Sequence, residues 1–153
     1  MEIFTRKEVY HLNDIICRTV QRLIKKYQTR NPFEIAEALN IEVQIGSPGC
    51  DGCYMFLKNH RYIFLNQELP DNERTMVMAH ELGHAVLHRK QNCYFIRNKT
   101  LLLTSKTEKE ANRFAAELLV PDDLIYRYEG FTIRQISYAE GLNEELLHLK
   151  YPS

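Results

Sequence analysis

His80 and His84 stand four residues apart with Glu81 between them, in the run His80-Glu81-Leu82-Gly83-His84. On an α-helix two such imidazoles are rotated by only about 40° and displaced by one turn, so both rings can converge on one tetrahedral ion. Glu81 lies about 60° from His84 on the same side and can overhang the ion without binding it. This H-E-x-x-H arrangement is that of a zinc peptidase: the ion acidifies a water, and the neighbouring carboxylate takes its proton as it attacks a carbonyl. The same five residues on a solvated helix face would be inert. The flanks argue for burial instead, because Met78, Leu82, Ala85 and Val86 repeat at helical spacing beside the histidines. Asp71, after Pro70 and before Glu73 and Arg74, marks the helix entry, and the spacing predicts one helix over 71–89.

Two histidines on one helix cannot complete such a site, so a third ligand must come from elsewhere. The continuation H-E-x-x-H-x-x-G-x-x-H is excluded, since Leu87 occupies the glycine position and Lys90 that of the last histidine. His88 extends the histidine face by another turn, yet it lies over 10 Å of rise from His80, too far to share one ion. A carboxylate on a second helix, the gluzincin-like solution, remains, and the segment Thr107-Glu108-Lys109-Glu110-Ala111-Asn112-Arg113-Phe114-Ala115-Ala116-Glu117-Leu118-Leu119 carries it. Ala111, Phe114, Ala115 and Leu118 mark its buried stripe, and Glu110 and Glu117 both border that stripe, so periodicity does not choose between them. Thr107-x-x-Glu110 also matches a capping box, in which Glu110 would only reach back to a backbone N–H. Tyr54, Tyr62, Tyr94, His60 and His88 are all chemically able to stabilise an oxyanion, and nothing ranks them.

The elements that must hold these residues read as α+β. Apolar Leu12, Ile15, Ile16, Val20, Leu23 and Ile24 predict a first helix near 10–26. Asn31-Pro32-Phe33-Glu34 supplies an N-cap, a proline at the first helical position and an early acid, opening a short second helix. Ile41–Ile45 alternates with period two, Gly46-Ser47-Pro48-Gly49 breaks it, and extended chain resumes at Cys53–Leu57 and Arg61–Leu65. Three strands joined by short turns predict a small antiparallel sheet packed against the motif helix. Residues 132–139 and 143–149 read as two short helices separated by Gly141, which close the core or help to hold a protein substrate.

A length of 153 residues with 44% hydrophobic content suits one domain over 1–153, divided as an N-terminal helix (1–30), a zincin-like core (31–121) and a C-terminal helical segment (122–153). Twenty basic and twenty acidic residues cancel, so no global field favours nucleic acid or an anionic membrane. Arg18, Arg22, Lys25, Lys26 and Arg30 read as a solvated face of the first helix, and Glu144 and Glu145 stand where a DNA-reading helix would carry basic residues. With no apolar run long enough for a membrane span and no signal-peptide pattern, the expected location is cytoplasmic. Cys50 and Cys53 have the spacing of half a zinc knuckle but lack two further ligands, so they read as turn residues, and Cys17 as a small core hydrophobe.

Leu65-Asn66, Ala79-His80-Glu81-Leu82-Gly83-His84 with Leu87-His88, and Glu110-Ala111-Asn112-Arg113-Phe114-Ala115-Ala116-Glu117-Leu118-Leu119-Val120-Pro121 together resemble the ImmA/IrrE family of metallopeptidases, across about 31–121. The resemblance departs only mildly at Val120, where methionine is more usual. It implies a Zn2+ site of His80, His84 and Glu110, with Glu81 as the catalytic base. It also implies regulation by proteolysis: cleavage of a helix-turn-helix repressor, often encoded nearby on a phage or mobile element, to relieve repression. The alternative reading is a zinc-stabilised regulatory or antitoxin-like module that binds without cutting, against which an intact Glu81 argues.

Overall fold

The computed structural model describes residues 6–95 and 105–151, with side chains described over 14–92 and 105–151. Its elements run α1 (Arg6–Tyr27), α2 (Pro32–Ala38), β1 (Glu42–Gly46), β2 (Gly52–Leu57), β3 (His60–Asn66), α3 (Asp71–Leu87), β4 (Cys93–Phe95), α4 (Lys106–Leu119), α5 (Leu124–Arg127), α6 (Ile133–Glu140) and α7 (Glu144–Lys150). The α+β class expected from the sequence is the one observed. Local chemistry explains several starts. Asn31 Oδ1 accepts from the Phe33 N–H ahead of Pro32, and Thr132 and Gln135 form a reciprocal capping box on α6. Gly141 ends α6 at φ 67°, a left-handed turn that glycine adopts without strain.

The sheet departs from the antiparallel expectation. Its order is β1-β3-β2-β4, with β2 antiparallel to β3 and β4 but β1 parallel to β3. A tight turn makes the β2–β3 hairpin: Lys58 and Asn59 both have positive φ, 50° and 60°. The link between β1 and β2 is five residues, 47–51. That is long enough to cross two interstrand spacings, about 9.6 Å, and β3 fills the space between. β1 and β2, consecutive in sequence, are therefore not neighbours in the sheet.

Gly52 and Tyr54 on β2 pair with Leu65 and Ile63 on β3, and this face is covered by α3. On its other side α3 meets α4, which is backed by α1 and α7. A helix enclosed this way is buried all round, and every residue from Val77 to Ala85 is buried. Leu82, Met78, Phe114, Ile63, Leu65 and Leu147 belong to one contiguous core, each apolar side chain contributing about 1.5–3 kcal/mol. The α7 residues Leu146 and Leu147 reach this core, so the C-terminal segment closes it as the sequence reading expected. Among the described residues no helix is long and apolar enough to cross a membrane.

Arg30 belongs to this scaffold and not to the solvated face expected for it. Its Nη1 donates to the carbonyls of Glu117 and Leu118, both at 3.1 Å, where α4 leaves acceptors unsatisfied.

Gly83 sets the distance between α3 and α4. A Cβ there would stand 3.1 Å from Phe114 Cβ and 3.2 Å from Ala111 Cα, closer than ordinary contact and partly against backbone. We expect Gly83→Val to cost about 2–3 kcal/mol by overpacking and to push α4 outward, read as a lowered midpoint in urea. Stability equal to the unmutated protein would show that the two helices have slack at this point.

Candidate metal centre

His80 and His84 project from consecutive turns of α3, and both are at most 2% exposed. Their Nε2 atoms are 3.2 Å apart. Glu108, in the first turn of α4, turns one carboxylate oxygen to each ring: Oε2 is 2.8 Å from His80 Nε2 and Oε1 3.0 Å from His84 Nε2. Two ligand atoms at about 2.0–2.1 Å from a tetrahedral ion stand about 3.3 Å apart, close to the separations found. Among the described residues this is the group of histidine, cysteine and acidic side chains that could hold a metal.

The charges of the group suit a cation. Burial works to raise the Glu108 carboxyl, but its contacts with the His80 and His84 rings outweigh it and lower the group to about 2, ionised. Burial lowers His84, against the pull of the Glu108 hydrogen bond, so its imidazole keeps the neutral form that ligates metals. Each His–Glu108 contact would be an ion pair only with a protonated ring, and the dry surroundings of His84 disfavour that state. The His80 ring is oriented from behind, with Nδ1 2.7 Å from Asn112 Oδ1. A donor at Nδ1 leaves Nε2 with a lone pair aimed at the centre.

Glu81 is fully buried, and neither carboxylate oxygen has a hydrogen-bond partner among the described residues. Burial, and after it the negative charge of Glu108, push its pKa well above the carboxylate range. A partnerless carboxyl in a dry site is costly unless a water or a cation serves it. A bound cation would reverse the shift. Gly52 makes room for Val77 on the same helix, whose Cγ1 would stand 2.6 Å from a Cβ there, while Glu81 Cγ would be in ordinary contact at 3.4 Å.

Glu110, expected as the third ligand, does not join this set. Its Oε2 lies 3.1 Å from His88 Nε2, while His88 Nδ1 lies 3.0 Å from His84 Nδ1, on the far side of that ring from Nε2. The helix starts earlier than the Thr107 cap supposed: Ser105 is the N-cap and accepts from the Glu108 N–H, which puts Glu108 at the third helical position. Glu117 is a structural ion, 3% exposed and paired with Arg113 at 2.6 Å and Lys150 at 3.6 Å. Extending the buried stripe Leu118, Ala115, Ala111 back by three residues would have reached Glu108.

The oxyanion candidates disperse. Tyr54 is buried with its hydroxyl donating to the Arg89 carbonyl, and His60 and Tyr62 meet edge to face, with Tyr62 stacked on Phe64. Tyr62 lies next to Ile63 in the strand and so on the sheet face away from α3. His88 stands behind His84, and the Tyr94 side chain lies outside the described residues. Burial raises Cys50 and Cys53, the latter to about 12, so both are protonated thiols and not reactive thiolates.

The family model of the IrrE N-terminal-like domain matches residues 36–138, a span that includes the histidine helix and the whole of α4. The chain belongs to the ImmA/IrrE family of metallopeptidases. Two relatives cover most of it. One is immunity region protein 2 of Bacillus phage phi105, 44% identical over 140 residues and 89% of each chain. The other is metallopeptidase ImmA of Bacillus subtilis strain 168, 30% identical over 142 residues, covering 88% of this chain and 79% of that one. Membership in an ImmA/IrrE family implies a metal, and the His80–His84–Glu108 group is where the residues fit one.

Proposed function

We propose that the chain is a zinc-dependent endopeptidase that cuts a peptide bond in a specific protein, a helix-turn-helix repressor, and so relieves repression. Zinc would be held by His80, His84 and Glu108, a set of three nitrogen and oxygen donors of the kind that leaves zinc's fourth position to water or substrate. When bound, zinc supplies Lewis acidity, acidifying water and polarising the scissile carbonyl. Glu81 takes the proton of the attacking water and returns it to the leaving amine. The observation that carries the reading is Glu81 itself: a fully buried carboxylate with both oxygens unpartnered beside the ligand group. A purely structural zinc module would gain nothing from burying such a group, and that weighs against the non-cleaving alternative.

The repressor as substrate is supported by the phage immunity-region relative and by the metallopeptidase ImmA relative. Such a substrate places the reaction in the cytoplasm. The test is incubation of the purified protein with the helix-turn-helix protein encoded beside its gene, with and without a chelator. Cleavage at one or a few bonds, abolished by the chelator, is the expected result. Binding without any cut would favour the regulatory module instead. On casein little or no cleavage is expected, and efficient degradation of casein would make the protein a general peptidase.

A further inference from the structure

We propose that Glu110 and His88 form a hydrogen-bonded relay that orients His84 for the metal, making both of them positioning residues; this rests on the ligand set proposed above. The relay is linear: Glu110 Oε2 to His88 Nε2 at 3.1 Å, His88 Nδ1 to His84 Nδ1 at 3.0 Å, and His84 Nε2 facing the centre. A carboxylate can only accept, so the His88 proton sits on Nε2. His88 Nδ1 then carries a lone pair and must itself accept, so His84 holds its proton on Nδ1. That leaves His84 Nε2 unprotonated and pointed at Glu108.

Counting protons shows why a cation belongs at that end. Three gaps need filling, Glu108 to His84, His84 to His88 and His88 to Glu110, while two neutral imidazoles bring two protons. With the His84–His88 and His88–Glu110 gaps filled by protons, the gap at Glu108 sets a lone pair against a carboxylate oxygen 3.0 Å away, which a metal ion relieves. His88 is 8% and Glu110 18% exposed at the side chain, so solvent does not readily replace either partner. Asn112 serves His80 in the same way from the same helix. α4 thus supplies one ligand (Glu108), the outer partner of His80 (Asn112) and, through His88, the support of His84 (Glu110).

A merely structural role is conceivable for this pair, because His88 caps α3, its N–H donating to the His84 carbonyl at 2.7 Å. The two roles separate in the following experiment. Zinc affinity is measured by competition with a chromophoric chelator for the unmutated protein, His88→Leu, His88→Gln and Glu110→Ala, and histidine ring 15N spectra are recorded on the zinc-loaded forms. The relay predicts a 10–100-fold loss of affinity in His88→Leu and Glu110→Ala. It predicts recovery of most of that loss in His88→Gln, whose side-chain carbonyl can accept from His84 Nδ1 while its amide NH2 donates to Glu110. It also predicts a 15N–15N coupling across the His84–His88 hydrogen bond, with the unprotonated His88 nitrogen being Nδ1. Unchanged affinity in both His88→Leu and Glu110→Ala, or a His88 whose bare nitrogen is Nε2, overturns the relay while leaving the ligand set standing. An unmutated protein that takes up no zinc overturns the ligand set, and the relay's role with it.

Discussion

Glu81→Gln should bind zinc as the unmutated protein does and cleave its substrate at least roughly 10²-fold more slowly. Glutamine keeps the volume of the side chain and removes its ability to take a proton. Burial makes the test clean, since neither Glu81 oxygen is bonded to a described residue and the substitution breaks no hydrogen bond of the fold. A sign follows for the metal-free protein. Burial, then the Glu108 charge, raise the folded-state pKa of Glu81, so its contribution to stability is full below the ordinary value of 4.5 and is lost as pH rises through the raised value. The glutamine variant has no such loss, and its stability relative to the unmutated protein should grow with pH above 4.5. Cleavage by the variant at the unmutated rate, with zinc content equal, would remove Glu81 from the mechanism.

The legible parts of this molecule were those governed by residues close in sequence. The i, i+4 histidines and the intervening glutamate fix their own relative geometry once the segment is helical, and Asn31-Pro32 announces α2 by cap chemistry alone. What was not legible depends on segments far apart in the chain. The parallel pairing of β1 with β3 needs β3 to insert beside a strand it does not follow, and alternation along β1 carries no record of its neighbour's direction. Which carboxylate of α4 faces the histidines was illegible for a related reason. Glu108 and Glu110 sit two residues apart and so project in directions about 200° apart around α4, and which of them meets His84 depends on how α4 lies across α3. That approach is set by Gly83 against Ala111 and Phe114, a contact between residues almost thirty positions apart. The family resemblance favoured Glu110, and the Thr107 capping box offered for it instead does not form, since the cap is Ser105. Arg30 misled likewise, reading as one of a basic cluster when its guanidinium closes the end of a helix 87 residues away.

Substitution at Glu108 should therefore damage zinc binding far more than substitution at Glu110. Apparent binding energies of about 10–16 kcal/mol for a four-ligand structural zinc site correspond to about 3 kcal/mol per ligand. Glu108→Ala should accordingly lower affinity by roughly 10²–10³-fold or more, whereas Glu110→Ala, acting through His88, should stay within about 10–100-fold. The helix survives the first change, because Ser105 is bonded to the backbone N–H of residue 108 and not to its side chain. Removing Glu108 also removes the carboxylate that faces both Nε2 atoms, leaving two buried rings with no negative charge between them to hold a cation in place. Zinc content after dialysis, compared at matched helicity by circular dichroism, reads the difference directly. The expected order of retained zinc is unmutated protein, then Glu110→Ala, then Glu108→Ala with essentially none. Should Glu108→Ala keep stoichiometric zinc while Glu110→Ala loses it, the ligand is Glu110 after all, and α4 must turn in solution to bring that side chain onto His84.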